Sequence, residues 1–481
     1  MRRFPIGALR AWQALVLSAA IGPLLLMKTS RLFGILLSAL LLASPAAFAA
    51  PAPDTLAWKA GAVSIDITPE GPVWLVGFGF RTKPSDSVAH PLYAKILVVE
   101  DYAGSRMAFV TLDLLGIPVS MRNEIVRQVS EKHGLGAESV LINASHTHSG
   151  PSVEGRGVTD PVYQKKGQEY GRMLTAKLVQ GISDALTRLE PAKLFYTRAR
   201  AGFAMNRRLP VGHEVINSPY PEGPVDHDVP VLRVVGADGN LRAIMFGYAC
   251  HNTTANFQSI NGDYAGFAQS YLQENRPGVV ALFMLGAGAD QNPYPRHLSI
   301  EQAKQHGRTL ANAVETALIV TKQRPLNGPL RSAYGTVDIQ YADISPADLK
   351  RRSQSKVQSE KNRADALLKQ VAAGKEIPQS YPCPVQVVKF GPDLTLVAIS
   401  GETTVDYSLR LKREMAGGHP AVWVAGYSND YFGYLGSRQV ILGGGYEGYS
   451  ANLGRHPGPW ATDTEDRVIG KAYELIQATN R

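Results

Sequence analysis

Six apolar runs recur along the chain, and each stops at a polar cluster: "RMAFVTLD" at Asp113, "SVLINASHTH" at His146 and His148, "AIMFGYACH" at His251, "VVALFMLGAGAD" at Asp290, "LTLVAISGE" at Glu402 and "AVWVAGYSND" at Asp430. Runs of this length, rich in Val, Ile, Leu and Phe without strict alternation, read as strands buried on both faces. Helical patterns lie between several of them, such as "SMRNEIVRQVSEKHG" and "TTVDYSLRLKREMAGG", the latter closed by glycines. The expected fold is therefore α/β: a mixed, mainly buried β-sheet with helices on both faces. Ligands of such sheets bind beyond the carboxyl ends of the strands. That rule puts a metal site at the strand ends, with His146, His251, Asp290, Glu402 and the Tyr-rich segment after Val424 on one rim.

Composition bounds the partners once the leader is set aside. Residues 1–49 carry five basic and no acidic residues, and "MKTSRLFGILLSALLLASPAAFA" from Met27 is a complete secretory signal ending in a small-x-small site before Ala50. Met27 is the expected start and export the expected fate. "AWQALVLSAAIGPLLLM", 17 residues broken by Gly22-Pro23, is at the short limit for a membrane span. Without the leader the formal net charge falls from +9 to +4, and no Lys/Arg block of the nucleic-acid type is present. Nucleic acid is not an expected partner. Cys250 and Cys383 would allow one disulfide in an oxidising compartment but make no disulfide framework, so a hydrophobic core must hold the fold. Residues 50–481 read as one domain.

"INASHTHSGP" carries the chemistry. On an extended segment residues i and i+2 face the same way, so both imidazoles reach one site. Ser145, Thr147 and Ser149 surround the pair with hydroxyls of the kind that hold metal ligands in place. Glu402 adds a carboxylate just before a helix whose expected cap is Thr403 or Thr404, and a helix N-terminus favours the ionised form. His, His and Glu with an open position make a zinc-hydrolase inventory. The chain has no G-x-S-x-G elbow, no H-E-x-x-H and no G-x-x-x-x-G-K-[ST]. Gly443, Gly445 and Gly448 spell G-x-G-x-x-G, but "YSANLGRHPGPW" stands where a dinucleotide-binding helix should begin, so they read as a turning loop.

In sequence order, "INASHTHSGP", "FGYACHNTTANFQSINGDYAGFAQ", "GAGADQNP", "ISGETT" and "GYSNDYFGYLGSRQVILGGGYEGYSA" resemble the catalytic domain of the neutral/alkaline, non-lysosomal ceramidases. The resemblance covers nearly all the mature chain and is specific at these motifs. It implies one zinc ion per chain, held by His146, His251, Glu402 and Tyr434. It also implies that His148, Arg207 in "AMNRRLP" and Tyr446 face a substrate amide. Composition alone would leave Tyr434 and Tyr446 as packing in a Gly-rich loop. The implied activity is zinc-assisted hydrolysis of the N-acyl bond of a lipid-like amide, with His148 and Tyr446 serving the oxyanion or the leaving amine and Arg207 a polar part of the substrate.

Two departures from the family pattern stand out. The immunoglobulin-like domain that usually follows the catalytic domain is not expected in a chain whose sequence stops at Arg481. The stretch between "ISPADLK" and "AAGKEIP" reads as one long helix, with Ser345 as cap and Pro346 at the first position, and a narrow stripe of Leu349, Val357, Ala364, Leu367, Leu368 and Val371. The stripe should pack on the body of the protein; peripheral contact of its basic face with a membrane is the other role it would fit. A zinc amidase or esterase on a different N-acyl substrate, and a non-catalytic binding protein on the same scaffold, are the competing functions. The sequence leaves the oligomeric state open. An exported protein should begin near Ala50 on N-terminal sequencing; residues 1–26 on the mature chain would overturn the Met27 start.

Overall fold

The six apolar runs are strands, and they pair with one another in parallel. Arg106–Leu112 lies beside Val140–Ala144, Leu241–Tyr248 beside Val280–Leu285, and Leu394–Ile399 beside Ala421–Ala425. Every residue of Val140–Ala144, Val280–Leu285 and Leu394–Ile399 is buried, which is why these runs lack the alternation of half-exposed strands. A computed structural model describes residues 58–481 except 156, 320, 321, 418, 419 and 481. The leader, the Met27 start and the cleavage point lie outside the described residues.

The large sheet runs in the order Val280–Leu285, Leu241–Tyr248, Asp228–Gly236, Glu190–Arg200, Trp58–Asp66, Tyr93–Asp101, Arg106–Leu112 and Val140–Ala144, with Arg324–Leu326 alongside Glu190–Arg200. The small sheet is Leu330–Gln340, Ser380–Phe390, Leu394–Ile399 and Ala421–Ala425. Both sheets mix parallel and antiparallel pairs, giving the mixed, mainly buried sheet flanked by helices that the sequence predicts. The layering differs from helices on both faces of one sheet. One face of the large sheet carries Val119–His133 and Pro161–Thr187 over one half and Asp263–Gln273 and Ile300–Ile319 over the other. The opposite face meets the small sheet through Trp58, Phe109, Met245, Phe390, Leu396 and Trp423. The far side of the small sheet is covered by Val405–Glu414 and Thr464–Ala478. Along Leu394–Ile399 the faces alternate with period two: Leu394, Leu396 and Ala398 face the large sheet, Val397 and Ile399 the helices. Either cover makes the same demand for apolar side chains, so a buried run does not say what covers it.

The two edge strands of the large sheet meet at their carboxyl ends. Asn143 accepts from Leu285 N at 2.8 Å and donates back to Leu285 O at 3.2 Å, and the same Nδ2 donates to Gly426 O at 2.7 Å beyond the small sheet. One buried side chain thus joins three strand ends from both sheets.

The expected long helix is two helices, Pro346–Arg352 and Gln358–Ala372. Ser345 does cap the first, accepting from Asp348 N, with Pro346 at its first position. The break falls at Ser353–Val357, where Ser355 Oγ accepts from Val357 N and donates to Glu360, so a serine side chain replaces the helical backbone bond. Leu349, Ala364 and Leu367 are buried as expected, whereas Val357 and Val371 are exposed.

Cys250 and Cys383 are free, buried thiols in different apolar clusters. The disulfide that the sequence would allow is not formed. Thiol titration should therefore find two free thiols in denaturant and none readily reactive in the native protein, with no change in Tm on adding reductant; loss of the thiols under oxidising purification would contradict this arrangement.

Candidate metal centre

His146 is placed by the turn that follows its strand. Its backbone is left-handed (φ 61°), its N–H donates to Leu114 O at 2.9 Å, and its Nδ1 lies 2.8 Å from Leu115 O. A carbonyl accepts only from a protonated nitrogen, so Nδ1 carries a hydrogen and Nε2 is the nitrogen that faces inward. His251, after Leu241–Tyr248, is held alike by Gly288 O at 2.8 Å from its Nδ1. The two rings meet edge to face at 4.9 Å. His148 joins them, its Nε2 3.1 Å from that of His146. The cause is the left-handed turn at His146 rather than the alternation of an extended segment. The ring of His148 fits because residue 77 is glycine: a Cβ there would lie 2.4 Å from His148 Cγ, on a backbone with φ 100°.

Glu402 completes the cluster. It belongs to a two-residue strand, Glu402–Thr403, paired in parallel with Tyr434–Leu435, so Glu402 and Tyr434 are register partners. Its Oε2 lies 3.2 Å from His146 Nε2 and 3.5 Å from His251 Nε2 yet receives no aligned hydrogen bond, while Oε1 accepts from Tyr431 OH at 3.1 Å. The Tyr434 hydroxyl is 3.4 Å from His251 Nε2. Burial pushes His251 down to about 3, with Arg207 adding to it, and burial also holds His148 well below its ordinary value. Neutral imidazoles beside a carboxylate with an unpaired oxygen are what a divalent cation needs. The nitrogens of His146, His148 and His251 alone lie within 4.8 Å of one another, close enough to hold a metal ion.

The remaining expected residues are at hand but differently engaged. Arg207 is buried, and its donors go to Glu447 Oε1 at 2.7 Å, Asn292 Oδ1 at 3.1 Å and Tyr434 OH at 2.9 Å. Tyr446 stands 5.3 Å from the Tyr434 ring and is exposed. It opens a single π-turn, Tyr446–Ser450, of the kind often found at functional sites. The turn needs Gly448, whose added Cβ would sit 2.1 Å from Val440 O. Asp290 is not part of the cluster. Its Oδ1 accepts from Val405 N at 2.9 Å, supplying the cap of Val405–Glu414 that was expected from the side chain of Thr403 or Thr404.

Sequence reading missed Tyr427, whose ring lies 4.7 Å from that of His146, Tyr431, Glu447 and Arg455. Tyr431 and Tyr427 lie in the run of motifs already singled out, and only their partners give them a role. Glu447 also lies in a quoted motif, next to Tyr446, and Arg455 carries no local signal.

Residues 58–284 match the family model described as neutral/alkaline non-lysosomal ceramidase, N-terminal. Over that segment, just under half of its length, the chain is similar to the neutral/alkaline ceramidases. A neutral ceramidase of Pseudomonas aeruginosa is 26% identical over 344 residues, 66% of this chain and 50% of that protein. Neutral ceramidase B of Dictyostelium discoideum is 27% identical over 263 residues, 50% of this chain and 36% of its own, so the chain spans half or less of these curated relatives. A neutral ceramidase of Mycobacterium tuberculosis is 22% identical over 464 residues, covering 79% and 71%. The crystal structure of the Pseudomonas aeruginosa neutral ceramidase superposes with a TM-score of 0.68 at 21% identity, over 88% of this chain and 75% of that one, and shows the same fold. The matched family segment holds His146, His148, Arg207 and His251; Glu402, Tyr434 and Tyr446 lie beyond it.

Asp290 gives this chain a pH signature of its own. Burial, then the charge of Asp406, raises its carboxyl to about 7. An acid whose folded pKa lies above its unfolded value favours folding when protonated, so stability falls as pH rises from about 4, where the unfolded carboxyl ionises, to about 7, and is level above. Asp290→Asn keeps an acceptor for Val405 N and removes the charge. Urea unfolding at several pH values should show the variant gaining on wild type from pH 4 to 7, by on the order of a few kcal/mol. A difference independent of pH would refute the assignment.

Proposed function

We propose that the chain is a zinc-dependent hydrolase of linear amides, and that it cleaves the N-acyl bond of ceramide to a sphingoid base and a fatty acid. The observation that carries the chemistry is the buried Oε2 of Glu402, which receives no aligned hydrogen bond and faces the Nε2 atoms of His146 and His251. His146, His251, Glu402 and Tyr434 would hold one zinc ion. When bound, zinc polarises a carbonyl and brings the pKa of water to about 7, so no serine or cysteine nucleophile is needed. The substrate class rests on the likeness to proteins named neutral ceramidases.

The chain's own residues do the rest. His148 is neutral, and its Nε2 takes a proton from the attacking water and returns it to the leaving nitrogen. Its backbone is held by Arg81, which donates to His148 O at 2.5 Å. Tyr446 donates to the amide oxygen as charge gathers there. Arg207 donates to the oxygen of Tyr434 and so positions that hydroxyl beside the site. Phe80, exposed, stacks at 5.2 Å on Phe78, whose ring meets His148 at 4.7 Å, so an aromatic path leads from solvent to the site. That path supports an apolar N-acyl substrate. Among the described residues no helix is long and apolar enough to cross a membrane, and export through the signal at residues 27–49 remains part of this reading.

Substitution separates ligand from helper. His146→Ala should lower zinc content sharply, with a fall in Tm because metal binding is linked to folding. His148→Ala should keep its zinc and lose on the order of 10² or more in rate. Elemental analysis beside turnover of ceramide on both purified variants decides. Zinc loss as complete in His148→Ala as in His146→Ala would make the pair a two-ligand site and remove Tyr434 from the ligand set.

A further inference from the structure

The mouth of the centre carries an excess of positive charge that an uncharged ceramide does not use. Arg207 and Arg208 share the single carboxylate of Glu447 at 2.7 Å each, and Glu402 faces the histidines. Arg81, Arg296 and Arg455 also border the site, through His148 O, Thr253 O and Tyr431 OH respectively. Among the described residues none of these three has a carboxylate at ion-pair distance. Arg81 and Arg296 spend donors on backbone carbonyls inside the fold. Arg455 is the exposed one.

Its position is built rather than incidental. Its guanidinium lies over the Tyr431 ring, 4.8 Å from the centroid, and donates to Tyr431 OH at 3.2 Å; that hydroxyl donates to Glu402 Oε1 at 3.1 Å. The backbone on both sides is pinned. Asn452 exchanges hydrogen bonds with the backbone of Tyr434 at 3.0 and 2.9 Å, and the fully buried Arg352 donates to Leu453 O and Pro457 O. A cation held this firmly, one tyrosine away from the cluster and beside the exposed Tyr446, keeps its remaining donors for a ligand. Such a group selects an anion, and most strongly a carboxylate it can grip with two N–H groups.

We propose that Arg455 is a substrate-recognition residue and that the site accepts, as a second class, N-acyl amides whose amine part ends in a carboxylate, such as N-acyl amino acids. The proposal rests on the amide-hydrolase reading and deepens it. Hydrolysis adds water across the C–N bond and releases a fatty acid and the free amino acid, so no co-reactant is required. Arg455 would bind the carboxylate while the acyl chain lies along Phe78 and Phe80.

The test compares N-octanoylglycine with N-octanoylethanolamine, below micelle-forming concentrations, on the zinc-loaded full chain. The wild type should favour the glycine conjugate by about tenfold or more in kcat/KM, the return of a charge-assisted hydrogen bond. Arg455→Gln should bring the ratio near one, chiefly through KM of the glycine conjugate, and Arg455→Lys should restore part of it. The ratio cancels any general loss of activity in the variants. A wild-type ratio of one or less, or a ratio unchanged in Arg455→Gln, overturns the proposal. If neither amide is cleaved, the second substrate class is refuted while turnover of ceramide by the same protein judges the hydrolase reading, and the dissociation constants of the two compounds decide the role of Arg455: tighter binding of the glycine conjugate that Arg455→Gln abolishes supports recognition by Arg455, and equal binding refutes it.

Discussion

Asn143 is the side chain on which the placement of the centre depends. It lies at the end of Val140–Ala144, fully buried, and gives its amide to Leu285, Gly426 and Ser428. Asn429 answers from the other side, accepting from Ile142 N at 3.1 Å and donating its backbone N–H to Ile142 O at 2.7 Å. These bonds fasten the carboxyl ends of strands from both sheets at one point. The loops that carry His146, the Gly288 carbonyl behind His251, and Tyr427 all leave from there. Each buried backbone group left without such a partner would cost about 1–3 kcal/mol, so the junction is strongly specified although it contains no ionised group.

Around that junction the fold gathers groups that resist burial. A carboxylate, several tyrosine hydroxyls and three histidines occupy a space from which water is largely excluded, and burial drives the histidines His148 and His251 to the neutral form. Backbone carbonyls choose which imidazole nitrogen stays protonated, and Tyr431 engages one oxygen of Glu402 so that the other is left over. The centre is thus prepared by atoms that would never touch a substrate. Arg207 and Glu447 extend the preparation outward, tying the Tyr446 turn to Tyr434 through paired charges that compensate each other in a buried place.

The helix pair Pro346–Arg352 and Gln358–Ala372 belongs to the same construction. Its Arg352 grips the backbone on either side of Arg455, and Arg351 reaches Tyr449 OH at 3.2 Å within the π-turn. The segment whose apolar stripe was expected to pack on the body is therefore a buttress for the loop at the mouth. Across the break at Ser353–Val357, Leu349 and Leu367 share one small apolar cluster with Ile377.

The sequence by itself determined six strands of the two main sheets and three side chains that the fold brings together. Full burial writes itself as unbroken apolar runs, and the residues where these runs stop, His146, His251 and Glu402, are the ones that meet. The helix start at Ser345 and Pro346 was legible because caps are local. Tertiary structure alone decided what covers each face, since a sheet and a helix ask the same of a buried valine. It alone decided that Asp290 would cap a helix more than 100 residues away rather than stand on the rim. It placed Arg207 against Tyr434, Glu447 against two arginines, and Arg455 over Tyr431. Those pairings join residues far apart in the chain through side-chain contacts, and such contacts leave no period, cap or spacing for a sequence to display.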